Sequence, residues 1–377
     1  MTEHIVPADW SAVAERVHAA RTRGGMTRDQ LAQVTGTSEA RLADIEHGTA
    51  RIDSDLLLRV SEATHRSLAW FIEPPLNTVA ERRVALIEEG NPEIDTRFDR
   101  MLEELGLAVR YLVDRGLLYG APRPTYPLPS DVERAEHLAQ KIRNEWDVPE
   151  GPLADLTSLC DRIGLFPFFM EFGEDGNLGA MIEVTETSGV ALINGSCTSR
   201  RQRFSLAHEL GHWITGDSFE TAVNSATTSE KMMNAFAAHL LMPSNRIIQD
   251  WDSATRTLGR RTAAISIASR YGVSWSAALL HLKNLGLLTP HEHDMFNRTT
   301  PEWYEFDIFA EGATAAPDSP HLSAAYRKAV LSAYADRELT RDRAVDMLFG
   351  TVSKESLPAR TAPFRRRKNS LHGNQHQ

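Results

Sequence analysis

The stretch Arg203–Asp217, RFSLAHELGHWITGD, constrains this chain more than any other. His208 and His212 stand four apart, and Glu209 directly follows the first. Residues i and i+4 share one face of an α-helix, so the two imidazoles can reach one ion. Glu209 lies about 100° around the helix, where it reaches a water at that ion rather than the ion itself. Phe204, Ala207 and Ile214 form one apolar stripe, and Leu206, Leu210 and Trp213 another. A helix apolar on two sides is buried. The pattern predicts a buried helix that forms the floor of a cleft, with Gly211 leaving room for a close neighbour.

A catalytic zinc takes three protein ligands and keeps a fourth place for water. Glu230 is the candidate for the third, 18 residues after His212. That spacing allows a loop and a returning helix, SEKMMNAFAAHLLMP, which Glu230 is expected to start. Asp217 and Glu220 are rivals in the expected loop. His239 falls nine residues after Glu230, on the other side of that helix. Thr227-x-x-Glu230 also reads as a capping box, so the spacing leaves Glu230 equally open to closing a helix end. Zn2+ is the default for two histidines and a carboxylate, and such a site also suits Mn2+ or Fe2+.

At 377 residues the chain is long for one core. Its 42% hydrophobic and 24% charged residues are the mix of a soluble protein, and no apolar run reaches the ~18 residues of a membrane helix. The two cysteines, Cys160 and Cys197, fit neither a disulfide framework nor a cysteine-rich zinc site. MTEHIVPADW has no signal-peptide pattern, so a cytoplasmic setting is the expectation.

Five segments follow. Residues 8–75 read as short helices ending at Pro74-Pro75, and 76–130 as a helical linker closed by the proline-rich YGAPRPTYPLPSD. Residues 131–250 carry two helices, three strands (LFPFFMEF, LGAMIEV, GVALIN) and the metal helix, an α+β pattern. Residues 251–290 are helical. Residues 291–377 hold a helical portion and a basic tail, RTAPFRRRKNSLHGNQHQ, expected to be disordered. The fold class is thus multidomain: an all-α unit, an α+β unit and a mostly helical C-terminal region.

Within the first unit, Thr27 with Gln30 is a capping box, and Gly36 and Gly48 sit where helices stop. Helix, short turn and helix over 27–46 have the spacing of a helix-turn-helix. The run RTRGGMTRDQLAQVTGTSEARLADIEHGTARIDSDLLLRVSEATHRSLAWFI, with Ile45-Glu46-x-Gly48, resembles the Xre/Cro-type family. That resemblance implies a recognition helix at 38–46, with Ser38, Glu39, Arg41 and Arg28 nearest the bases. The charge pulls the other way. Residues 1–75 hold 8 arginines and 11 acidic residues, net −3, whereas DNA affinity needs phosphates neutralised. Arg21, Arg23, Arg28, Arg41 and Arg51 could still gather into one patch.

From about 131 to 290 the chain resembles the ImmA/IrrE family of zinc metallopeptidases. RRQRFSLAHELGHWI, with its Arg-Phe pair, and EKMMNAFAAHLLMP carry the likeness, and Met233 departs from a usually small position. The resemblance implies metal ligands at His208, His212 and Glu230, a catalytic Glu209, a zincin-like fold and a small helix-turn-helix after the peptidase core. The expected function is a DNA-binding transcriptional regulator fused to a zinc endopeptidase of HExxH type. It would cleave a repressor, another regulatory protein or itself in a stress or phage response. The expected partners are a DNA operator and a protein substrate, with no membrane, and the chain is expected to form a homodimer. One alternative is a regulator whose metallopeptidase-like domain only senses or scaffolds. Another is a peptidase whose N-terminal helices recruit its substrate.

Overall fold

A computed structural model describes residues 10–72, 92–148, 150–173, 179–216, 223–310, 317, 319–357 and 359, with helix backbone alone for 92–96 and 223–227. Asp217, Glu220 and the basic tail from 360 onward lie outside the described residues.

The first unit is five helices: α1 (Trp10–Arg23), α2 (Arg28–Thr35), α3 (Glu39–Glu46), α4 (Ser54–Thr64) and α5 (Leu68–Ile72). The turns form as their residues dictate. Thr27 accepts from the Gln30 backbone while the Gln30 side chain accepts from Thr27, and Gly36 takes the left-handed conformation that ends α2. Val17, Leu31, Leu42, Ile45, Val60 and Phe71 close a separate small core. Each such side chain contributes roughly 1.5–3 kcal/mol by leaving water.

Next come α6 (Pro92–Asp114), α7 (Val132–Glu145), α8 (Leu156–Arg162), β1 (Leu165–Met170), β2 (Gly179–Thr185), β3 (Ser188–Asn194), α9 (Ser199–Thr215) and α10 (Val223–Leu241). Helices α11 (Ser244–Leu258), α12 (Arg260–Arg270), α13 (Trp275–Asn284), α14 (Pro290–Asn297) and α15 (Trp303–Asp307) follow, and β4 (His321–Leu322), α16 (Ala324–Ala335) and α17 (Arg341–Met347) complete the described part. The expected single C-terminal helical portion is two helices, broken where Arg337 turns left-handed. β4 has no counterpart in the sequence reading.

The four strands form one sheet in the order β2-β3-β1-β4. β1 and β3 run parallel, and β2 is antiparallel to β3. Every position of β1 and β3 is buried, so both faces of the sheet are covered. Alternation splits the strands between two cores. Leu165, Phe169, Ala191 and Ile193 join α7–α10 and α11–α13 in one. Phe166, Phe168, Val190 and Leu192 join α6, α16 and α17 in the other, with Leu105, Val109, Tyr326 and Val330. Asp161 at the end of α8 accepts from Ser323 Oγ at 2.6 Å and from the Ala325 amide at 3.1 Å, tying the N-terminus of α16 to α8. Among the described residues no helix is long and apolar enough to cross a membrane.

Candidate functional site

The helix α9 is buried on two sides as its stripes require: Leu206, Ala207, Leu210, Trp213 and Ile214 are each no more than 1% exposed. Two contacts fix its place. Arg203 donates to the Leu153 carbonyl, and Trp213 Nε1 donates to the Ile163 carbonyl at 3.0 Å. Burial lowers the Arg203 guanidinium to about 10.

Helix α10 lies across α9 at Gly211. A Cβ there would meet Met233 Sδ at 2.6 Å and a Phe236 ring carbon at 2.9 Å, so only glycine permits the approach. Met233, the residue larger than its position usually holds, is fully buried against that gap. Glu230 does not start α10. The helix begins at Val223, more than a turn earlier, so Thr227 and Glu230 are both interior. The capping reading fails for that reason, because Thr227 is not at a helix end.

This crossing brings His208, His212 and Glu230 together, with one donor atom from each lying within 4.8 Å of the others. His208 Nε2 is 3.1 Å from Glu230 Oε2, His212 Nε2 is 3.3 Å from Glu230 Oε1, and the two imidazole Nε2 atoms are 3.0 Å apart. A tetrahedral ion with bonds of ~2.0–2.1 Å separates its ligands by roughly 3.3 Å. The donor chemistry fits as well. Asn234 Oδ1 is 3.1 Å from His208 Nδ1 and accepts its proton, which leaves the Nε2 lone pair facing the other two donors. Three electron-pair donors crowded together call for a cation between them.

Glu209 points elsewhere, as its position around the helix requires. It is 3% exposed, and its Oε1 is 3.3 Å from where a Cβ on Gly179 would stand. Gly179 opens β2, an edge strand of the sheet, so the start of that strand and the carboxylate are neighbours. Neither Gly179 nor Asn234 was singled out from the sequence, although Asn234 stands in the quoted EKMMNAF. His239 lies apart from the cluster, with Nδ1 3.0 Å from Ser244 Oγ and its ring 4.8 Å from that of His281. Burial lowers His281 to about 3, so it is neutral and donates from Nε2 to the Met242 carbonyl at 2.9 Å.

In the first unit the positions picked for DNA divide. Ser38 caps α3 by accepting from the Arg41 amide. Glu39 is exposed on α3, and Arg41 pairs with Asp53 at 2.6 Å with both side chains half exposed. Arg28 turns inward. It meets the Glu46 carboxylate at 3.0 Å, which also accepts from Arg21 at 2.5 Å and lies 3.2 Å from His18 Nδ1. Burial works to raise Glu46, and these contacts override it and hold the carboxyl down at about 2. Arg23 pairs with Glu103 on α6, and Arg51 sits over the Trp10 ring. The five arginines therefore do not form one free patch, because each is engaged inside the unit or by α6.

Residues 160–283 match the family described as the IrrE N-terminal-like domain. Residues 17–71 match the family described as helix-turn-helix. No curated protein matches the chain.

Proposed function

We propose that this chain, a helix-turn-helix domain followed by an IrrE-like domain of a metallopeptidase family, is a DNA-binding regulator carrying a zinc-dependent endopeptidase. Its substrate is a repressor or another regulatory protein, cut in response to stress or phage. The observation that carries the peptidase half is the convergence of His208, His212 and Glu230, with the buried Glu209 on the same helix as the two histidines. Two imidazoles and a carboxylate suit zinc, with Mn2+ or Fe2+ as the other candidates. Bound there, the metal supplies Lewis acidity to a water and to the scissile carbonyl.

The protein's own groups do the rest. The Asn234 amide holds the His208 tautomer that offers Nε2. Glu209 takes the proton from the attacking water on its carboxylate and returns it to the leaving amine. Among the described strands β2 stands at an edge of the sheet, and an extended peptide added along it would lie next to Glu209. Gly179 keeps that approach clear of a side chain.

Glu209→Gln tests the reading. It is expected to leave the metal content unchanged and cut the rate by about 10²–10⁴-fold, as loss of a general base does. Equal cleavage by that variant would remove Glu209 from the mechanism. For DNA, Arg41 is the basic residue of the reading helix that remains exposed. A salt-dependent mobility shift of the chain's own promoter fragment should weaken in Arg41→Ala. An unchanged shift would favour the reading in which the acidic N-terminal unit recruits a protein substrate.

A further inference from the structure

A cavity of about 720 Å³ opens between α9, α10 and α13. It lies within the ~300–1,000 Å³ range of ligand-binding clefts. Phe204, Ala235, Ala277 and Leu280 supply apolar walls. Arg201 and Lys231 are its cationic groups, both exposed, and no described lining residue is acidic.

Its position relates it to the metal centre. On α9, Arg201, Phe204 and Ser205 line the cavity, and His208 is the next residue along that face. On α10, Lys231, Asn234 and Ala235 line it, and Glu230 precedes them. One helical turn is about 5.4 Å, so the cavity begins about one to two residues of extended peptide away from the three donors. Asn234 belongs to both, since it lines the cavity and holds His208 Nδ1. Ser205, another lining residue, has its Cβ 3.4 Å from where a Cβ on Gly179 would stand, at the strand edge beside Glu209.

The geometry points to a substrate side-chain subsite: the cavity takes a bulky apolar residue next to the scissile bond, and Arg201 and Lys231 receive an acidic neighbour. This rests on the peptidase reading above and deepens it by naming the substrate class, a polypeptide with an apolar-acidic pair at the cut. Selectivity then comes in part from α13, which lies outside the two helices that carry the metal donors.

Two measurements test it. In the first, the zinc-loaded full chain digests a randomised peptide library, and cut sites are read by mass spectrometry. Leu, Phe or Met should dominate one flanking position about tenfold or more, with Asp or Glu beside it. Ala277→Trp should lower cleavage of those peptides about tenfold or more while peptides with Ala or Gly there change little. Arg201→Glu with Lys231→Glu should exchange the acidic preference for a basic one. A uniform loss across all peptides, or an unchanged preference, overturns the subsite.

The second measurement needs no catalysis. Acetyl-Leu-Asp amide, acetyl-Ala-Asp amide and acetyl-Leu-Lys amide are compared by saturation-transfer NMR on the zinc-loaded Glu209→Gln chain. Binding should favour the first and be lost in the same chain with Ala277→Trp. If that holds while the wild type cuts nothing, the subsite stands and the proteolytic reading fails. If 4-phenylbutyrate binds there and none of the dipeptides does, the cavity is an effector site and the subsite is overturned.

Discussion

The three-donor cluster at His208, His212 and Glu230 and the Glu46 cluster are both knots of charged and ionisable side chains where helices meet, and they are built on opposite principles. At Glu46 one buried carboxylate meets Arg21, Arg28 and His18, so the knot brings its own counter-charges. At His208, His212 and Glu230 three electron-pair donors face one another, and balance calls for an added cation. The contrast teaches how to sort such clusters. Complementary pairs hold a fold together, whereas convergent donors of one kind mark a place for a ligand.

Breaking the Glu46 side should have the largest effect. Glu46→Ala leaves the buried Arg21 without its carboxylate, and losing one partner of a buried pair costs about 3–5 kcal/mol. Circular dichroism under urea should show the helix-turn-helix unit unfolding early while the sheet region holds. The same carboxylate sets an acid limit. Its folded value near 2 lies below the ordinary 4.5, so its stabilisation is present above about pH 4.5 and is lost as pH falls toward 2. That shift corresponds to about 3 kcal/mol, and acid titration of Glu46→Ala should show a flatter profile over this window.

The helix crossing that assembles the donors is next. Gly211→Ala drives a methyl toward Met233 and Phe236 and should cost about 1–3 kcal/mol in thermal unfolding. Met233→Ala should recover part of that loss, a non-additivity readable in a double-mutant cycle. Asn234→Ala sharpens the metal side of the comparison. It should weaken zinc affinity about 10–100-fold by competition titration and leave stability of the metal-free chain nearly unchanged. The smallest effect belongs to Arg41→Ala. Its pair with Asp53 is half exposed, and its loss should move stability by less than about 0.5 kcal/mol.

What the sequence revealed follows the range of the interactions involved. The metal helix was legible because the four-residue spacing of His208 and His212 and the two apolar stripes are local properties of one helix. The three strands were legible for the same reason. Glu230 was not settled, since nothing in TTSEK distinguishes a helix start from a helix interior. Where α10 lies is decided by its crossing of α9 at Gly211. Glu46 was visible only as part of Ile-Glu-x-Gly. A count of charges cannot show that it draws Arg28 inward, away from the bases that residue was expected to face. The all-apolar strands β1 and β3 imply a sheet covered on both faces. That α6 and α16 do the covering follows from contacts that span from about fifty to more than 150 residues of chain, beyond any local pattern.

The central claim is that these donors hold a metal, and binding stoichiometry measures it most directly. The purified full chain should take up one zinc per molecule from a zinc-buffered solution, read by elemental mass spectrometry after desalting. Single alanine substitutions at His208, His212 and Glu230 should each abolish that uptake, while His239→Ala, in the neighbouring histidine pair, should retain it. A chain that binds no zinc, manganese or iron at that stoichiometry, or a Glu230→Ala variant that keeps wild-type affinity, would contradict the account.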